Sequence, residues 1–305
     1  VSDKASDIVD ALVKTAKRGG AEIIQGTAKK ILTENGAVSG VLLENGEALP
    51  ADSVILATGG MSYPLTGSTG DGYKIARALG HTVTEIKPSL VALNAHEGFC
   101  ERLAGLSLKN VALSVFEEGR KKPVFSELGE ILFTHFGISG PLVLSASAHM
   151  RYIGKKQYTA AIDLKPGLTP EQLDKRILRD FDEEKNRDFI NSLNKLLPKS
   201  LIPIVVRLSC IEPNRKVNSI SREQRAALCR VLKEFTLHIT GTRPIDEAII
   251  TRGGISVKEI DPKTMGSRLI SGLYFAGEII DVDAYTGGFN LQIAFSTGFA
   301  AGSNV

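Results

Sequence analysis

Glu278, Gly287, Gly288 and Asn290 are residue types that can meet a charged or carbonyl-bearing ligand. They fall within one run, GEIIDVDAYTGGFNLQ (277–292). A strand-like LYFAG leads into it and an apolar, small-residue run, IAFSTGFAAG, follows. A helix beginning near Asn290 would turn unpaired backbone N–H groups and the positive end of its dipole toward whatever lies in front. That environment suits a pyrophosphate, or a cofactor carbonyl that gains negative charge on reduction. The plainer alternative is a glycine loop feeding a tightly packed C-terminal helix. ATGG (57–60) carries a similar pair of readings. A buried strand ending in two glycines lets backbone approach a ligand at the carboxyl edge of a parallel sheet, although taken alone a tight turn explains it better. STGDG (68–72) is equally ambiguous, because glycines and an aspartate begin many helices.

Other chemistry is sparse. No G-x-S-x-G elbow accompanies a Ser-His-Asp order, and His81 in ALGHT and His135 in FTHFGISGP stand isolated, the pattern of structural histidines. Asp281 and Asp283 lack a third ligand, so local hydrogen bonding explains them better than a metal, and no metal is expected. Cys100, Cys210 and Cys229 are widely spaced, which argues against zinc and against a disulfide framework and fits a reducing cytoplasm. Hydrophobic residues make up 43% and charged residues 23%, the balance of a soluble globular protein. A net charge of +3, no basic stripe, no tryptophan and 6% aromatic residues disfavour a nucleic-acid partner. No stretch is long and apolar enough to span a bilayer, and none reads as a signal peptide.

The elements that would position these residues follow from periodicity. Ala5, Ile8, Leu12, Val13 and Ala16 share one helical face, with Ser2 or Asp3 as cap, and Gly19-Gly20 ends that helix. The chain opens on Val1 already inside this pattern, as a fragment or processed product would. AEIIQ (21–25) has strand texture. Asn35-Gly36 and Asn45-Gly46, each between β-rich runs, predict a meander over residues 28–50. SVILATGG reads as a parallel strand buried on both faces. A helix then carries Ile75, Ala76 and Leu79 inward, with Asp71 as cap and Gly80 as stop. Helix, strand, meander, buried strand, glycine loop and helix is the order of half a nucleotide-binding α/β domain.

From about Pro88 the texture changes. LVALNA, KNVALSVFE, KPVFSE and QYTAAIDL are short β-rich runs, and residues 169–235 are helical in pattern. Thr169-Pro170-Glu171-Gln172 holds a capping box with proline at the first helical position, and SREQRAALCRVLKEF is a second amphipathic helix. Residues 88–250 therefore read as an insertion, half β and half helical, inside a discontinuous α/β domain.

Three blocks, ILATGGMSYPLTGSTGDGYKIARALGH (55–81), GEILFTHFGISGP (129–141) and TRGGISVKEIDPKTMGSRLISGLYFAGEIIDVDAYTGGFNLQIAFSTG (251–298), resemble the aminoacetone-oxidase-like family of NAD(P)/FAD-dependent oxidoreductases. The blocks stand in family order and together span nearly the whole chain. The resemblance implies a discontinuous Rossmann-like FAD-binding domain (1–87 and 251–305), a β-barrel-like insert (88–167 and 236–250) and a helical subdomain (168–235). It implies that Ala28 presents backbone to the adenine and that Thr58, Gly59 and Gly60 lie along the dinucleotide. Gly277 and Glu278 would lie by the ribityl–pyrophosphate stretch, and Gly288, Asn290 and Leu291 near the flavin N1–C2=O edge. His135 and Thr134 are the candidates for facing the flavin ring.

There is one departure. The family opens with a strand, a G-x-G-x-x-G turn for the pyrophosphate and an acidic residue for the ribose, and these 305 residues carry none of the three. Two expectations stay open. One is most of a bacterial-type cytoplasmic flavoprotein, passing electrons between a small organic substrate and FAD with NAD(P)H or oxygen as second partner, the missing segment supplied by a longer chain. The other is a truncated apo fragment with no activity of its own, in which FAD is absent.

Overall fold

The structure, a computed structural model, describes residues 4–305. Helix α1 (Ala5–Arg18) has the predicted amphipathic spacing but buries none of its residues: Ile8, Val9, Leu12 and Val13 face solvent. Lys4 holds its N-cap position, and the predicted Ser2 or Asp3 cap lies outside the described residues. AEIIQ is not a strand. Its composition suits one, but no strand among the described residues runs beside it to pair its backbone, and Ile23 and Ile24 are exposed. The meander forms as predicted: β1 (Ala28–Glu34), β2 (Ala37–Leu43) and β3 (Ala48–Pro50) are consecutive antiparallel neighbours.

Strand β4 (Val54–Leu56) leads through the ATGG loop to α2 (Asp71–Ala78). Asp71 is the first helical residue rather than the cap, which falls on Gly70; its carboxylate is engaged instead by the Thr69 hydroxyl at 2.6 Å and the Lys74 ammonium at 2.8 Å. Ile75 and Ala76 are buried as their spacing requires.

After β5 (Lys87–Ser89) the chain enters a closed barrel. β6 (Leu93–Ala95), the short helix α3 (Phe99–Arg102), β7 (Ser107–Glu117), β8 (Phe125–Thr134), β9 (Gly137–Ser139), α4 (Pro141–His149) and β10 (Tyr158–Asp163) follow in turn. A helical excursion intervenes: α5 (Pro170–Glu183), α6 (Phe189–Ser192), α7 (Ile202–Ser209) and α8 (Arg222–Lys233). Then β11 (Phe235–Thr242) returns and closes the ring in the order β10-β11-β6-β9-β8-β7. Period-two alternation drives closure, since Leu113, Val115, Ile131, Phe133, Ala160, Ile162 and Leu237 all point into a fully buried interior. Both long helices of the excursion begin with capping boxes, Thr169 with Gln172 and Ser221 with Gln224. Their inner stripes, Leu173 and Ile177 on α5 and Leu228 and Leu232 on α8, join the barrel core.

The chain leaves the barrel through β12 (Ile250–Arg252), antiparallel to β5, and re-enters the first region. There β13 (Leu273–Phe275) pairs with β4 in parallel, and α9 (Phe289–Gly302) closes the chain. A second, smaller core gathers Ile31, Val38, Leu56, Tyr73, Ile255, Leu273, Phe275 and Ile279. β4 is parallel as predicted but not buried on both faces: Ile55 stays open to solvent because β13 is its only ladder neighbour among the described residues. Helix α9 buries only Ala301, leaving Phe295 and Phe299 exposed.

Candidate functional site

The YTGGFNLQ loop is held in shape by one side chain. Asn290 Oδ1 accepts from the Ala284 N–H at 2.9 Å, and its Nδ2 donates to the carbonyls of Ala284 at 2.9 Å and Tyr285 at 3.3 Å. Gly288 sits at the N-cap of α9 with φ 91°, a conformation costly to any side chain, and the space where a Cβ would project is empty. The start of α9 therefore borders open space at Gly287 and Gly288. That space is a cavity of about 410 Å³ lined by Leu90, Ile249, Ile250, Glu278, Val282, Tyr285 and residues 286–288, 290, 291, 293 and 294.

Glu278 ties this loop to the ATGG block. Its Oε1 accepts from the Thr251 N–H at 2.6 Å and from the Ser62 hydroxyl at 3.0 Å. Thr251 Oγ1 in turn accepts from the N–H groups of Met61 at 2.8 Å and Ser62 at 3.1 Å. Gly60 is buried against this network; a Cβ there would stand 2.3 Å from Thr251 Oγ1 and 2.8 Å from Glu278 Oε1. Its lack of a side chain thus serves protein packing at this point.

A larger cavity of about 780 Å³ adjoins, sharing Tyr285. Its charged lining is balanced, Lys87, Arg151 and Arg252 against Glu85, Asp281 and Asp283, with His149 and Phe289 among them. Lys87 pairs with Glu85 at 2.7 Å, and Asp283 accepts from the Ser89 hydroxyl at 3.0 Å, a partner 194 positions away rather than the local one its sequence setting suggested.

The other sequence candidates are spread around this centre. Glu278, Gly288, Asn290 and Leu291 line the smaller cavity together. Gly277 lies next to them, its N–H donating to Thr297 Oγ1 at 2.9 Å. Ala28 opens β1 and packs on the second core, while Thr58 is exposed and Gly59 half-buried at the end of β4. Thr134 and His135 end the β8 hairpin; His135 is exposed with its ring 4.9 Å from that of Phe136, and neither residue lines either cavity.

His81 acquires partners that no local pattern signals. Its Nδ1 lies 3.1 Å from Glu259 Oε2 and its Nε2 2.9 Å from Ser267 Oγ, a line resembling a hydrolase triad. The serine is not a nucleophile, because its Oγ already accepts from the N–H groups of Leu269 and Ile270. The imidazole is fully buried edge-on to Phe275, and burial holds it below its ordinary range. It braces the core under the sheet.

The residues fit the ring end of FAD. An apolar slot of suitable size ends on glycine backbone and a helix N-terminus, which favour a ring carbonyl that gains charge. The pyrophosphate end is not matched, since the described residues hold no glycine-rich turn of the G-x-G-x-x-G type. The HI0933-like protein Rossmann domain matches residues 1–304. A 3-dehydro-bile acid delta(4,6)-reductase of Clostridium scindens is 33% identical over 99% of this chain and 73% of its own length. A ribosomal RNA dihydrouridine synthase of Escherichia coli is 30% identical over 99% of this chain and 72% of its own. Among solved structures, GidA of Aquifex aeolicus aligns over 96% of this chain and 48% of its own, at 14% identity and a TM-score of 0.36.

Proposed function

Because the chain belongs to the HI0933-like Rossmann-domain family of FAD-binding oxidoreductases, we propose that it is the larger part of a flavin-dependent reductase that saturates a C=C bond conjugated to a carbonyl. The names of the two relatives share that chemistry. A 3-oxo bile acid unsaturated at the neighbouring carbons and a uridine ring both present a carbonyl conjugated to a C=C bond. Bound FAD would supply the two-electron store, refilled by NAD(P)H, with oxygen as the competing acceptor. The chain's own part is to seat the ring in the 410 Å³ slot, with Gly288, Asn290 and Leu291 at its carbonyl edge. Asn290 keeps that loop from collapsing, and the apolar wall of Leu90, Ile249 and Ile250 excludes water from the ring face. The adjoining 780 Å³ cavity takes the substrate.

The observation that carries this reading is the open glycine backbone at the start of α9, facing an apolar slot that shares a wall with a second, polar cavity. A small molecule is preferred to nucleic acid, since three cations in the larger cavity meet three carboxylates and offer a polyanion no net attraction. Free Cys100, Cys210 and Cys229 support a cytoplasmic setting, and no described helix is long and apolar enough to cross a membrane. The exposed faces of α1, β4 and α9 support a second reading for these 305 residues taken alone: a fragment that holds no FAD until a longer chain supplies the phosphate-binding turn.

The test is expression of the full-length protein. The reading expects bound flavin absorbance, bleaching by NADH or NADPH without oxygen, and recovery on adding a conjugated enone. A protein that takes up no FAD overturns it.

A further inference from the structure

The wall shared by the two cavities carries a tyrosine paired with a histidine. Tyr285 lines both cavities, and its hydroxyl shares a hydrogen bond with Nε2 of His149, the last residue of α4. The two rings stack, centroids 5.4 Å apart and planes 26° from parallel, and Phe125 stands 5.4 Å from the same imidazole. The charged groups facing His149 are Glu127 of β8, which favours its protonation, and Arg151 just beyond α4, which opposes it. Burial is the largest influence and holds the imidazole below its ordinary range, so it is neutral near pH 7.

Saturating a C=C bond beside a carbonyl takes a hydride at the far carbon and a proton at the near one, and the proton needs a donor held in place. We propose that Tyr285 is that donor and His149 its positioning residue and proton source, an assignment that rests on the conjugate-reduction reading. Bound FAD, once reduced by a nicotinamide, would supply the hydride with its two electrons. The π electrons of the C=C bond take the Tyr285 proton to form the new C–H bond. As Nδ1 of the neutral His149 ring takes a proton from solvent in the larger cavity, its Nε2 proton passes to the phenolate, so the ring changes tautomer and no imidazolate forms. One hydride and one proton enter the substrate, and the nicotinamide is oxidised. An N–H donor at the phenol oxygen stabilises the phenolate as it forms.

The experiment uses the full-length, FAD-loaded protein, reduced anaerobically and mixed with cyclohex-2-enone or with uridine. Tyr285→Phe should slow reoxidation by the probe that works by about 10²–10⁴-fold, well beyond any change in flavin reduction by NADH. His149→Ala should lose less and should flatten the pH dependence of reoxidation. Reoxidation of Tyr285→Phe at the parental rate overturns the proposal. If neither probe reoxidises the parental protein, the conjugate-reduction reading fails and the catalytic assignment falls with it. The pair is tested separately by nitrogen NMR of labelled histidine: Tyr285→Phe should move the His149 Nε2 signal at pH 7, and an unmoved signal overturns the pairing itself.

Discussion

The barrel with its helical excursion and the region built on β4 and β13 are made of the same residue types, yet they bury them differently. In the barrel region every long apolar stripe finds a partner within the chain. Leu173 and Ile177 of α5 meet the same core as Leu228 and Leu232 of α8, and the barrel has no free edge. In the other region α1 buries nothing, α9 buries Ala301 alone, and the parallel ladder is two strands wide. The candidate site sits where the second region meets the first, so its geometry depends on the less self-sufficient half. A ligand slot formed on such a half is held by cross-chain ties such as those of Glu278 and Asn290 rather than by depth of packing.

Paired truncations expose the contrast most strongly. Phe235 is 1% exposed and packs edge-on to both Phe99 and Phe133. Phe235→Ala should cost about 3–5 kcal/mol in urea unfolding. Phe299, 79% exposed on α9, should change stability by no more than about 0.5 kcal/mol on the same truncation. Equal losses at the two sites would mean that α9 is covered in solution. Amide exchange should follow the same order, slow in β7 and β10 and fast in α1.

The tie between the ATGG block and Glu278 comes next in size. Gly60→Ala places a methyl 2.3 Å from Thr251 Oγ1, against buried partners that have hydrogen bonds to lose. We expect a loss of about 1–3 kcal/mol, together with weaker flavin uptake by the full-length protein. Unchanged stability would mean that the loop is free to move away from Glu278.

How legible these features were in the sequence follows from their range. The meander announced itself through Asn35-Gly36 and Asn45-Gly46, and α5 through the Thr169–Gln172 box, because turns and caps are encoded within four residues. The strand pattern of AEIIQ failed for want of a neighbour, which composition does not report. Asp71 looked like a cap and proved to be one position too late, a boundary decided by the backbone of Gly70. Of the site, the glycines and Asn290 were visible as a cluster. Tyr285 with His149, and His81 with Glu259 and Ser267, join residues more than a hundred positions apart, beyond any local motif.

Gly288→Ala separates backbone strain from packing. The position has φ 91° and nothing within reach of an added Cβ, so the expected cost is the left-handed conformation alone, about 1–2 kcal/mol. A smaller loss with altered flavin affinity would show the loop relaxing into the slot.

The smallest effect lies in the pH response of the second region. Burial outweighs the Glu259 carboxylate and keeps His81 neutral in the folded chain, below its unfolded value of about 6.5. The unfolded chain therefore accepts a proton that the native one refuses. The His81 contribution is complete above about pH 6.5 and is lost as pH falls from there through the depressed native value. Glu259, held low by its hydrogen bonds from Thr82, has the same sign but acts only below the ordinary carboxylate range. Half-buried His149 adds a slope of the same sign at the boundary with the barrel. Urea midpoints of the parent should fall between about pH 7 and pH 5.5, and His81→Gln should keep only the part owed to His149. A variant with the full parental slope would place the pH sensitivity outside the β4–β13 region and erase that distinction between the two halves.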